Sequence, residues 1–235
     1  MIIFDLDSTL APIGEGIGEV ELKLFKELEN TGVQVAICSG KTCDYLCGFM
    51  RQVGLKKPIL IGENGAVIRF GIGLPPQQYY KVPFSEKAKE SLKKIRGILE
   101  KEFPHIWFQP NKIGVTPFPT TKDEFERIAD MLEEYKQEMT DVEVFRHVDS
   151  FDIVPAGIDK AVGISYLLKM MNISEKEILT VGDGVNDYSM FDLAGFSIGV
   201  NVKEEERVDV NCKSTLEMLQ FITEYIKNNN TKEST

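Results

Sequence analysis

Residues 1–14 read MIIFDLDSTLAPIG: an apolar run that breaks at Asp5, Leu6 and Asp7 and passes into two hydroxyl residues, Ser8 and Thr9. An apolar run without polar alternation fits a strand buried on both faces, as in a parallel sheet. Two carboxylates placed two positions apart at its end repel each other unless a positive group sits between them. Where a strand ends the chain curls, so side chains at i and i+2 can flank one small ligand from the same side. The stretch predicts the first strand of a parallel sheet and a charged site at its carboxyl end.

Similar runs recur along the chain. Val20 to Leu28 has helical spacing, VQVAICS follows at residues 33–39, Lys41 to Val53 reads as a helix, and PILIGENG occupies 58–65. The pattern resumes with a helix from Lys160 to Met171, the run EILTVGD at 177–183, a helix after Asp187 and FSIGV at 196–200. Strands alternating with crossover helices predict an α/β fold: a Rossmann-like parallel sheet with helices on both faces. Between the two blocks the order changes. Ser85 to Phe103 reads as an amphipathic helix with Ser85 as N-cap, followed by HIWFQP and GVTPF as paired strands. Lys122 to Glu138 then reads as a second helix, with VEVFRHV and SFDIVP as a hairpin around Asp149. Helix, two strands, helix, two strands predicts an inserted α+β domain at residues 82–154, within a core of residues 1–81 and 155–235. Trp107 and Phe108 are expected in the core of the insert, and the terminal NNNTKEST as a polar, frayed tail.

Composition narrows the function. With 235 residues and 43% of them hydrophobic, the chain can bury a substantial core. A net charge of -10 with no basic stripe argues against nucleic acid as a partner. No stretch resembles a cleaved leader or spans a bilayer, so a soluble, cytoplasmic protein without membrane partners is expected. Cys38, Cys43, Cys47 and Cys212 lack the spacing of a disulfide framework and read as packing thiols. Two phosphate-binding look-alikes fail. SGKT at 39–42 would need glycine at Val35, and GEGIGE at 14–19 puts Glu19 where a dinucleotide fingerprint needs its third glycine.

Three strands end in polar clusters: Asp5, Asp7 and Thr9; Ser39 and Gly40; Asp183, Asn186 and Asp187. In an open parallel sheet the loops at the carboxyl ends of the strands meet in one crevice, so four carboxylates are expected to converge. Such a cluster suits Mg²⁺, a hard ion that takes oxygen ligands and keeps waters a phosphate can displace. Lys160, at a helix start near the same edge, supplies a cation for a phosphoryl group. Each residue alone has a duller reading, as a cap, a turn carboxylate or a surface lysine, but four such accidents in order are a poor account.

DLDST, Ser39, Lys160 and GDGVND, in that order and with GENG at 62–65, resemble the motifs of the haloacid dehalogenase superfamily of phosphatases. The insert resembles the smaller variant of that superfamily's type II cap. In pattern the chain is similar to archaeal-type phosphoglycolate phosphatases, and DSTLAPI is similar to trehalose-phosphate phosphatases. The resemblance implies a Mg²⁺-dependent phosphomonoesterase acting on a small phosphate ester through an aspartyl-phosphate. Asp5 is then the nucleophile and Asp7 the general acid and base. Asp5, Asp183, Asp187 and the backbone carbonyl of Asp7 serve the metal, while Thr9, Ser39, Gly40, Lys160 and Asn186 serve the substrate. Many relatives have Gly where this chain has Ser8. A phosphomutase of the same fold and a non-catalytic metal-binding protein are the alternatives.

Overall fold

The structure is a computed structural model and describes residues 1–232, with side chains through Asn228. The chain divides into two compact units, Met1–Tyr80 with Lys160–Thr235, and Lys81–Asp159.

In the first unit, β1 (Ile2–Phe4) leads to α1 (Glu19–Asn30), β2 (Val35–Cys38), α2 (Cys43–Val53), β3 (Ile59–Gly62), β4 (Val67–Phe70) and β5 (Gln78–Lys81). The four residues of β2 and the four of β3 are all buried, which explains why these runs show no polar alternation. α2 begins where the Thr42 hydroxyl accepts the Tyr45 N–H, and stops at Gly54 in the left-handed region. β4 returns antiparallel to β3, which a sequence reading of parallel strands alone does not anticipate. The reversal is made in the turn Glu63–Gly65, where Glu63 and Asn64 both take φ of +54°.

The second unit holds α3 (Glu86–Glu102), β6 (Trp107–Phe108), β7 (Pro117–Phe118), α4 (Lys122–Glu134), β8 (Val142–Arg146) and β9 (Phe151–Pro155). Ser85 caps α3 by accepting the Ala88 N–H, and the helix buries Ala88, Leu92, Ile95 and Leu99 along one stripe. Thr121 and Glu124 form a capping box at the start of α4. β6 pairs with β7 and β8 with β9, both antiparallel, and a bridge from Val115 to Ile153 links the hairpins. Trp107 is 57% exposed, so it is not a core residue of this unit, and half-buried Phe108 lies under the Arg96 guanidinium.

The first unit continues with α5 (Lys160–Met171), β10 (Leu179–Gly182), α6 (Tyr188–Leu193), β11 (Phe196–Val200), β12 (Val210–Cys212) and α7 (Thr215–Lys232). Its sheet has eight strands in the order β12-β11-β10-β1-β2-β3-β4-β5. The pairs from β12 through β3 are parallel, which confirms the α/β class. α7 carries the helix through Lys232, so residues 228–232 are helical rather than frayed; the expectation for residues 233–235 lies outside the described residues. All four cysteines are buried and none is in a disulfide, as packing thiols should be. No helix among the described residues is long and apolar enough to cross a membrane.

Candidate active site

β1 and β10 are parallel neighbours with Phe4 opposite Val181, so the residues that follow them leave the sheet side by side at its carboxyl end. Asp5 follows Phe4 directly, its N–H bonded to Val181 O at 2.8 Å, and Asp183 follows β10. The tight turn Val185–Asp187 then brings Asp187 back over the strand end. Its Oδ2 accepts the N–H of Asp183 at 2.9 Å and of Gly184 at 3.1 Å. Gly182 makes room for this return, because a Cβ there would lie 2.5 Å from the Asp187 carboxyl. Oxygens of Asp5, Asp183 and Asp187 lie within 4.8 Å of one another.

Lys160 opens α5, and its ammonium reaches Asp5 Oδ1 at 2.6 Å and Asp187 Oδ1 at 2.5 Å, with all three side chains out of solvent. The buried Thr9 hydroxyl shares its hydrogen between Asp5 Oδ2 at 3.2 Å and Asp183 Oδ1 at 3.1 Å. Three carboxylates against one ammonium leave excess negative charge in a dry place. Burial first, and then repulsion from Asp187 and Asp183, push the Asp5 carboxyl up to about 7 despite Lys160. Burial and Asp187 raise Asp183 to about 6. For Lys160 burial alone would lower the pKa, but Asp187 and Asp5 outweigh it and the ammonium is held above its ordinary range. A pocket with that surplus takes up either protons or a cation, and an all-oxygen carboxylate set fits a hard divalent ion.

Three carboxylates converge here, not the four expected. The Asp7 carboxylate pairs with Lys41 Nζ at 3.4 Å, where both side chains are partly exposed. Ser39 and Gly40 follow β2, the strand on the other side of β1. Ser39 is buried, its N–H bonded to Ile61 O at 2.9 Å and its Oγ accepting the Lys41 N–H at 3.2 Å. Asn186 sits exposed on the 185–187 turn. Lys41 is the residue that sequence reasoning missed. Its signal is a basic side chain two positions past the Ser at a strand end, within the SGKT stretch that fails as a phosphate loop.

A family model described as sucrose-6F-phosphate phosphohydrolase matches residues 1–225. The chain belongs to that family. It is a phosphatase of the haloacid dehalogenase superfamily. This phosphatase is 25% identical over 210 residues to a phosphoglycolate phosphatase of Methanospirillum hungatei, covering 88% of this chain and 86% of that one. It is 24% identical over 227 residues to a phosphoglycolate phosphatase of Methanosarcina mazei, covering 95% and 89%. Its fold matches that of a haloacid dehalogenase-like hydrolase from Bacteroides thetaiotaomicron with a TM-score of 0.75 at 17% identity, covering 94% of this chain and 98% of that one.

Proposed function

We propose that the phosphatase hydrolyses the monoester of a small phosphorylated metabolite, phosphoglycolate or a sugar phosphate, through an aspartyl-phosphate on Asp5. The meeting of Asp5, Asp183 and Asp187 with Thr9 and Lys160 supports this reading above all, since it joins residues remote in the chain, Thr9 and Asp183 being 174 positions apart. The names of the relatives support a phosphoglycolate-like acid, and the family description supports a sugar phosphate.

In this reading Asp5 attacks phosphorus in line, the ester P–O bond breaks, and Asp7 gives its proton to the departing oxygen. Asp7 then takes a proton from water as that water attacks the aspartyl-phosphate, and inorganic phosphate leaves. Lys160, held on Asp5 and Asp187, places positive charge beside the nucleophile and the transferring group. Thr9 fixes the rotamers of Asp5 and Asp183, while Ser39, Gly40 and Asn186 bind phosphate oxygens. Mg²⁺ held by Asp5, Asp183, Asp187 and the Asp7 carbonyl would neutralise charge developing on the phosphoryl oxygens. We assign the insert, residues 82–154 between core segments 1–81 and 155–235, the role of a cap that selects the ester.

Inorganic phosphate release from a panel that includes phosphoglycolate, sucrose 6-phosphate and trehalose 6-phosphate tests the proposal, with Mg²⁺ and with EDTA. Turnover of one or a few members with Mg²⁺, lost in EDTA, is expected. Phosphate release that persists in EDTA would remove the metal from the scheme, and transfer to a second sugar hydroxyl without release would mark a mutase.

A further inference from the structure

Lys41 has no role in the scheme above, yet it is the group that the Asp7 carboxylate meets. An ordinary surface ion pair between two long side chains orders little. Here the lysine starts from a backbone pinned on two sides. Its carbonyl accepts the Glu63 N–H at 2.9 Å, and its own N–H donates to the buried Ser39 Oγ at 3.2 Å. β3 comes close enough for this because residue 62 is glycine: a Cβ there would fall 2.8 Å from Lys41 O and 2.7 Å from Cys43 N. Thr42 then caps α2 immediately behind it.

The second observation is where Asp7 does not go. It lies two residues from Asp5, yet its carboxylate stays out of the group formed by Asp5, Asp183 and Asp187. A fourth carboxylate there would add repulsion and would compete for a bound cation, leaving no acid for the leaving group. A lysine on a fixed backbone is a means of preventing that.

We propose that Lys41 is a positioning residue for phosphoryl transfer, holding the Asp7 carboxyl apart from the three clustered carboxylates and available to the leaving-group oxygen. The inference rests on the proposed role of Asp7. In the step it serves, a bond forms between Asp5 Oδ and phosphorus, and the electron pair of the broken ester bond stays on the departing oxygen. The proton on Asp7 goes to that oxygen. Lys41 keeps its own protons throughout.

The test compares Lys41→Met, Lys41→Arg, Asp7→Asn and the double variant Asp7→Asn/Lys41→Met with Mg²⁺ on p-nitrophenyl phosphate and phenyl phosphate. The nitrophenolate leaves readily without a proton, whereas phenolate needs one more. Lys41→Met should lower kcat/KM, which reports only the steps through formation of the aspartyl-phosphate, by about tenfold on phenyl phosphate, a fraction of what general acid catalysis supplies, and lower it less on the nitrophenyl ester. Lys41→Arg should recover most of the rate, and in the Asp7→Asn background Lys41→Met should cost nothing more. Should Lys41→Met unfold, Lys41→Gln against Lys41→Arg carries the same comparison. Equal losses on both esters, or losses that multiply in the double variant, would overturn the inference while a slow Asp7→Asn keeps Asp7 in its role. Wild-type rates from Asp7→Asn would overturn the role of Asp7 itself, and the inference with it.

Discussion

Asp5 is buried, bonded to Lys160 and Thr9, and raised to about 7, further than Asp183, which is raised to about 6. Asp5→Asn keeps the volume and removes the charge. Turnover should fall by about a thousandfold or more, because the nucleophile is gone, while circular dichroism and thermal unfolding show an intact fold that is no less stable without metal. Retention of more than a few per cent of activity would move the nucleophile elsewhere. Ser8 carries backbone strain: its φ of +62° lies in the left-handed region, where a Cβ costs about 1 kcal/mol. Relief of that strain is largely offset by the extra freedom of glycine in the unfolded chain, so Ser8→Gly should shift the midpoint of chemical denaturation little, and a clear fall in the midpoint would count against strain at Ser8. Asp5, Asp183 and Lys160 were legible in the sequence because each sits at the end of an apolar run or the start of a helical one, and topology alone gathers such positions. The placement of Asp7 was not, since it depends on a side-chain partner, Lys41, that belongs to another strand end.

At the level of elements, one contact fixes where Lys160 points. α5 crosses the turn after β3 so closely that a Cβ on Gly163 would lie 2.5 Å from both Cα and O of Gly65. Gly163→Ala must therefore push the first turn of α5 outward, and Lys160 with it. A loss of about 1–3 kcal/mol in urea denaturation and a drop in kcat should go together. Gly97, inside α3, is the control: nothing lies within 4 Å of its Cβ position, so Gly97→Ala should stabilise by about 0.5–1 kcal/mol with no change in kcat. Gly163→Ala with wild-type stability would show that the α5 contact yields freely. The helices were legible from their period, and Ser85 and Thr121 from cap chemistry. The antiparallel return into β4 was not, because it turns on Glu63 in a left-handed conformation, for which glutamate gives no signal. β12, three residues long, is too short to show a period.

Across the whole molecule, the acidic cluster couples folding to pH and to metal. The pKa values of Asp5 and Asp183 are raised in the fold, to about 7 and about 6, from an ordinary 3.8. A carboxyl raised on folding adds stability that is full below its unfolded pKa and is lost as pH rises through the folded value. Without metal, these two groups should make the protein less stable as pH climbs from about 4 to about 7. A bound divalent cation takes the place of those protons, so its stabilisation should grow over the same range as proton competition fades. Thermal unfolding with and without millimolar Mg²⁺ at pH 5 and pH 8 measures both trends. The Mg²⁺-induced rise in Tm should be small at pH 5 and clear at pH 8, and Asp183→Asn should flatten the difference by removing one proton site and one ligand together. A rise of equal size at both pH values, or one that Asp183→Asn leaves untouched, would place the ion somewhere other than among these three carboxylates.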